Sequence, residues 1–256
     1  MSAGPFDVTD RLALVTGSSR GIGRALAGGL ADAGARVVLH GRGGPRLAEA
    51  QDELERRTGR RPLAVSFDVT DAAAVAAGVE GLVAEHGALD VLVNNAGVQR
   101  RAPVTEFSVQ DWDDVIAANL SGAFHTSRVA ARGMVERGSG KIVNIGSVQS
   151  VLARQTIAPY SASKGGLVAL TRGMAADLAR HGVQVNALSP GYFATEMNTA
   201  LVDDPDFTAW VETRTPAARW GRVEELVGAL LFLCSDASSF VSGQNLLVDG
   251  GMSAVV

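Results

Sequence analysis

The chain has 256 residues, of which 46% are apolar and 20% charged, with a formal net charge of −4. That is enough apolar chain for one sizeable α/β core, and the mildly acidic balance leaves no electrostatic footprint for nucleic acid or an anionic membrane as partner. No apolar run approaches the ~18 residues of a membrane span, MSAGPFDVTD at the N-terminus lacks a basic segment leading into an apolar core, and Cys234, the single cysteine, has no internal disulfide partner, so a cytoplasmic setting is expected.

In chain order, RLALVTG (11–17) is a short apolar run ending in glycine and predicts a buried strand. The next segment (22–35) carries Ile22, Leu26 and Leu30 at helical spacing and closes on glycine-alanine, a helix with its C-cap. RVVLHG (36–41) predicts a second strand, and 45–59 a helix with proline in its first turn. A third strand at 62–69 leads to a helix at 71–87, and a fourth strand at 89–97 to one long serine-capped helix at 108–138. A fifth strand at 140–147, a helix from Tyr160 to about 182, a sixth strand at 183–191, a helix at 224–235 and a last strand at 244–251 complete the series. Strands that are apolar throughout and alternate with helices predict a parallel sheet covered on both faces, hence a single-domain, doubly wound α/β fold over 1–256. The stretch at about 192–222 has a different texture. It follows a strand's carboxyl end, where such sheets bind ligands, and is a candidate lid.

VTGSSRGIG places Gly17, Gly21 and Gly23, with Ser19, Arg20 and Ile22 between them, at the first strand-to-helix turn. Glycines there let the backbone turn sharply and approach a pyrophosphate at a helix N-terminus, although the spacing is G-x3-G-x-G. A carboxylate ending the second strand would suit the ribose of NAD. The sequence has His40-Gly41-Arg42 instead, and Arg42 with Ser19 and Arg20 suits a 2′-phosphate, so NADP is the expected cofactor. Asp68, followed by Val69 at the end of the third strand, is placed to accept from the adenine amino group, and NNAG (94–97) offers Asn95, Ala96 and Gly97 to the adenine ribose. The histidines His40, His86, His125 and His181 show no metal-ligand spacing, and Asp203, Asp204 and Asp206 read as the acidic first turn of a helix, so no metal site is expected.

YSASK puts Tyr160 and Lys164 four residues apart at a helix start, on one face, thirteen residues beyond Ser147. A hydride-transfer enzyme needs an acid/base for the carbinol oxygen, and a tyrosine serves if a nearby ammonium favours its phenolate. The glycine turn, NNAG, Asn119, Ser147, the Tyr160–Lys164 pair and SPG (189–191) follow the order and spacing of the short-chain dehydrogenase/reductase family, which the chain resembles from about Arg11 to Gly251. The resemblance implies a seven-stranded Rossmann sheet, a homotetramer built on the two long helices and last strand, and the tetrad Asn119, Ser147, Tyr160 and Lys164. Tyr160 would be the acid/base. Lys164 would lower its pKa and hold the nicotinamide ribose, Ser147 would orient the substrate oxygen, and Asn119 would hold a water that links Lys164 to solvent. Pro190, Gly191 and Thr195 would lie along the nicotinamide and phosphates.

Within that family, NNAGVQRRAP, SVQSVLARQTIAPYSASK, PGYFATEMNTALVDDPDF and RTPAARWG resemble the members that act at C5 of gluconate. Members acting on 2-dehydro-3-deoxy-D-gluconate are similar around the arginine pair and less so through 147–160. A sugar-acid substrate needs an anion anchor some distance from the hydride, and Arg100 or Arg101 could supply a bidentate grip, with Gln149, Arg154 and Tyr192 as further polar wall. A reductase of 3-oxoacyl groups on a carrier protein would instead need a long apolar channel, which the polar Gln99-Arg100-Arg101 and Gln149-Ser150 oppose. A nucleotide sensor without activity would not need a complete tetrad.

Overall fold

A computed structural model describes residues 4–255. The elements run β1 (Leu12–Val15), α1 (Gly21–Asp32), β2 (Arg36–Gly41), α2 (Pro45–Thr58), β3 (Leu63–Ser66), α3 (Ala72–His86), β4 (Val91–Asn94), α4 (Val109–Ile116), α5 (Gly122–Arg137), β5 (Gly140–Ile145), α6 (Ala158–Leu178), β6 (Val183–Pro190), α7 (Thr199–Val202), α8 (Pro205–Arg214), α9 (Val227–Cys234) and β7 (Asn245–Val248). The strands form one parallel sheet in the order β3-β2-β1-β4-β5-β6-β7. The order reverses between β1 and β4, and the carboxyl ends of those two strands therefore diverge into a crevice.

Strand alternation splits the core between two faces. Ala13 and Val15 of β1 join Leu26, Leu30, Leu39, Val93 and Leu230 on the side of α1, α2 and α9, while Leu12 and Leu14 join Val79, Leu82, Met134, Ile142 and Val185 on the side of α3, α5 and α6. Each such leucine withdrawn from water contributes about 1.5–3 kcal/mol, which is why central strands with both faces covered read as unbroken apolar runs. Between the layers lies one polar network. Asn94 Nδ2 donates to Ser127 Oγ and Asn144 Oδ1, both at 2.8 Å, Thr126 Oγ1 donates to Asn94 Oδ1, and Asn144 Nδ2 donates to Thr171 Oγ1 at 2.9 Å. A buried network with every member partnered fixes how α5 and α6 sit on β4 and β5.

The long helix expected at 108–138 is broken. Ser108 caps it as predicted, with its hydroxyl accepting from the Asp111 N–H at 3.0 Å, but residues 117–121 form a π-helical turn before α5 begins. The insertion adds a residue to the turn and brings Asn119 inward, a distortion common at functional sites. Helix α6 starts two residues earlier than expected, with Pro159 in its first turn. The segment at 192–222 forms α7 and α8 and is pinched at its base, where Gly221 N–H donates to Tyr192 O at 2.9 Å and Ala194 N–H to Gly221 O at 3.0 Å. Asp204 caps α8 by accepting from the N–H groups of Asp206 and Phe207, which accounts for the acidic cluster there. Among the described residues no helix is long and apolar enough to cross a membrane, and no group of three His, Cys, Asp or Glu side chains is placed to hold a metal.

Candidate active site

Loops leaving the carboxyl ends of β1, β2, β3, β4, β5 and β6 wall a cavity of about 650 Å³. At its base the β1–α1 turn approaches the end of β4 so closely that a Cβ on Gly17 would stand 2.9 Å from the Ala96 Cα, and Gly17 holds φ at +63°, where L side chains are strained. Thr16 Oγ1 accepts from the N–H groups of Asn95 and Ala96 at 2.9 and 3.0 Å, and Asn95 Nδ2 returns bonds to the carbonyls of Thr16 and Gly17. Helix α1 begins after Arg20 with no side-chain cap, so its first N–H groups are left for an anion. All of the residues expected to hold the cofactor line this one cavity: Gly17, Ser19, Arg20, Gly21, Ile22 and Gly23 in the turn, Arg42, Asp68 and Val69 beyond β2 and β3, Asn95 to Gly97, Tyr160, Lys164, Pro190, Gly191 and Thr195. Asn94, the first residue of NNAG, is instead turned into the buried network and is 4% exposed. Sequence reasoning missed His40, Arg46 and Gly146 on the same wall. Arg46 adds a third cation to the lining with Arg20 and Arg42, and its place in the first turn of α2, two residues after the glycine pair, was the available signal.

Ser147, Tyr160 and Lys164 share the opposite wall. A hydrogen bond from Ser147 draws the Tyr160 pKa down, but burial outweighs it and the phenol lies above its ordinary value. The Lys164 ammonium was expected to perform that lowering. Its Nζ instead donates to Ile145 O at 2.6 Å and stands 5.8 Å from the Tyr160 ring centre, and burial pushes its own pKa down to about 8. Asn119 lies behind the wall, 1% exposed. Its Oδ1 accepts from Val98 N–H at 2.7 Å, and its Nδ2 donates to Val98 O and Ser163 Oγ, both at 3.0 Å. Both amide hydrogens are thereby spent on protein partners, so this side chain staples the loop after β4 to α6.

The residues expected to meet substrate divide into groups. Arg100 lines the cavity, but its Nε meets Asp111 at 3.2 Å in a half-exposed ion pair. Arg101, Arg154 and Tyr192 stand together just off the cavity wall. Burial lowers the Arg101 pKa, with the like charge of Arg154 adding to it, and Tyr192 feels both guanidinium groups. Tyr192 also lies near enough to Tyr160 to raise the latter's pKa. Arg154 stacks 5.1 Å over the Phe207 ring of α8, and Tyr192 packs against Phe207, Trp210 and Trp220 with centroids 5.6–5.7 Å apart. Gln149 is 8% exposed and lies away from the cavity lining.

Residues 17–253 match the family model described as enoyl-(acyl carrier protein) reductase. The chain is 56% identical over 248 residues to gluconate 5-dehydrogenase of Gluconobacter oxydans (strain 621H), covering 97% of this chain and 96% of that protein. It is 50% identical over 251 residues to 5-keto-D-gluconate 5-reductase of Escherichia coli (strain K12), covering 98% of each. Among solved structures, a gluconate 5-dehydrogenase from Burkholderia cenocepacia J2315 in complex with NADP and tartrate superposes with a TM-score of 0.95 at 52% identity, covering 98% of each chain.

Proposed function

The chain belongs to the short-chain dehydrogenase/reductase family, and from that premise we propose that it is an NADP-dependent oxidoreductase interconverting 5-keto-D-gluconate and D-gluconate. Bound NADPH would supply the hydride to C5 of the ketone. Tyr160, kept protonated by burial, gives its proton to the C5 oxygen as the carbonyl becomes an alcohol, and Ser147 holds that oxygen beside the phenol. Lys164, buried next to Tyr160, holds the nicotinamide ribose. The cofactor reading is supported by the close approach of Gly17 to Ala96, the uncapped start of α1 and the cations Arg20, Arg42 and Arg46 near a strand end that carries no acid.

What carries the substrate reading is the unneutralised pair Arg101 and Arg154. Neither has a carboxylate partner among the described residues, while nearby Arg100 does. A sugar-acid carboxylate between them would relieve their mutual repulsion and set C5 toward Tyr160. The segment at 192–222, with Arg154 stacked on Phe207, then acts as a lid over the bound acid. The same family reading carries a homotetramer, which fits the exposed Val109, Trp112 and Phe124 along α4 and α5 and the fully exposed Phe240 before β7.

The competing reading is a reductase of 3-oxoacyl groups on a carrier protein. NADPH oxidation with 5-keto-D-gluconate, with an acetoacetyl thioester and without carbonyl compound separates the two. Turnover with the sugar acid is expected. Turnover with the thioester alone would overturn the assignment, and none with any carbonyl compound would favour a binding-only protein.

A further inference from the structure

The dehydrogenase reading leaves one buried titratable group on the cavity wall without a task. His40 is the penultimate residue of β2, is 2% exposed, and is bonded to the glycine turn three times. Gly17 N–H donates to His40 Nδ1 at 3.0 Å, Ser18 N–H donates to His40 O at 2.9 Å, and His40 N–H donates to Ser18 Oγ at 2.9 Å. On its far side the ring meets Phe67 O through Nε2 at 3.1 Å and lies against the Phe67 ring with centroids 4.1 Å apart. The partners fix the tautomer. A carbonyl can only accept and an N–H can only donate, so Nε2 carries the hydrogen and Nδ1 the lone pair. Burial pushes the imidazole down to about 4, against the pull of the Phe67 bond and of Asp68, which keeps the ring in that neutral form.

We infer that His40 is a positioning residue for the adenosine-diphosphate half of the dinucleotide, sorting the N–H groups of the glycine turn and tying that turn to the end of β3. By engaging Gly17 and Ser18 it turns those two N–H groups toward β2. The N–H groups of Ser19, Arg20 and Gly21 donate to no backbone carbonyl among the described residues and are left for the diphosphate. Through Phe67 O the same ring sets the strand end that continues into Asp68 and Val69 on the cavity wall. A side chain needed only to fill the core would require its shape and neither ring nitrogen.

The inference rests on the NADP reading, and titration calorimetry with 2′,5′-ADP and with 5′-ADP as probes keeps the two apart. His40→Phe retains ring volume but strands the Gly17 N–H, and is expected to weaken 2′,5′-ADP binding by about tenfold. His40→Asn returns an amide oxygen near the position of Nδ1 and is expected to recover most of that loss. The KM for NADPH follows the same order, with the change falling on KM rather than kcat. A His40→Phe protein of lower Tm that binds the probe as tightly as wild type overturns the inference, as does a His40→Asn protein no better than His40→Phe. Nitrogen-15 spectra of the wild-type imidazole test it without any variant, since a hydrogen on Nδ1 contradicts the assigned bonds. A wild-type protein that prefers 5′-ADP overturns the NADP reading, and the His40 comparison is then read on 5′-ADP.

Discussion

Arg100 and Arg101 are adjacent in sequence and alike in charge, and what faces each one separates them. Asp111 stands 3.2 Å from Arg100, while Arg101 faces a second guanidinium and a phenol. An ion pair at the surface contributes little, so loss of Arg100 removes about 0–1 kcal/mol. A guanidinium partly withdrawn from water and gripping a carboxylate contributes more, about 1.5–3 kcal/mol. Arg101→Ala is therefore expected to raise the KM for 5-keto-D-gluconate roughly 10- to 100-fold and Arg100→Ala no more than about fivefold. Steady-state kinetics at saturating NADPH measure both, and equal effects would remove Arg101 from the anchor role. The RR dipeptide marked a candidate cationic anchor in the sequence. It could not say which arginine is free, because that depends on an aspartate a loop and a helical turn away.

At the scale of elements the π-turn at 117–121 does the positioning. It delivers Asn119 to the backbone of Val98, and through that bond pair it holds the loop that carries Arg100 and Arg101. Asn119→Ala leaves the Val98 N–H and carbonyl unpaired, at a cost of about 2 kcal/mol, or roughly 4–8 °C in Tm for a chain of this size. Thermal unfolding should show that loss, and the KM for the sugar acid should rise with it. A variant as stable as wild type would mean that water replaces the amide without cost. The strands and most helices were legible because their periodicities and glycine punctuation are local. The π-turn was not, since one added residue leaves the apolar spacing of 108–138 almost unchanged. The cluster of Tyr192, Phe207, Trp210 and Trp220 was hidden for another reason: its rings come from positions with no common period and meet only when the segment closes on itself. His40 read as an ordinary strand residue, because its partners lie on two other strand ends.

Over the whole molecule the parallel sheet separates function from support. Every strand ends toward the same side, so the chemistry gathers at the carboxyl ends and the amino ends are free to carry stabilising contacts. Two buried lysines test that division. Lys141, at the amino end of β5, donates to Ser238 Oγ at 3.3 Å, and burial lowers its pKa despite Asp236 nearby. Lys164 lies at the other end, bonded to the carbonyl that ends β5, and its pKa falls from 10.5 to about 8. Below about pH 8 the folded chain buries the Lys164 ammonium at full cost. Between 8 and 10.5 the unfolded chain holds a proton that the folded chain has released, so stability rises with pH across that window. Lys164→Met should accordingly abolish turnover yet be more stable than wild type at pH 7, by about 2 kcal/mol, with the advantage shrinking toward pH 10. Lys141→Met should keep kcat/KM within about twofold of wild type and not lower Tm, because no reacting group depends on it. Urea unfolding at the two pH values and one activity assay cover both variants. A Lys164→Met protein less stable than wild type at pH 7, or one whose advantage grows with pH, would show that this ammonium is held at no cost. A Lys141→Met protein without activity would show that the sheet does not insulate its two ends.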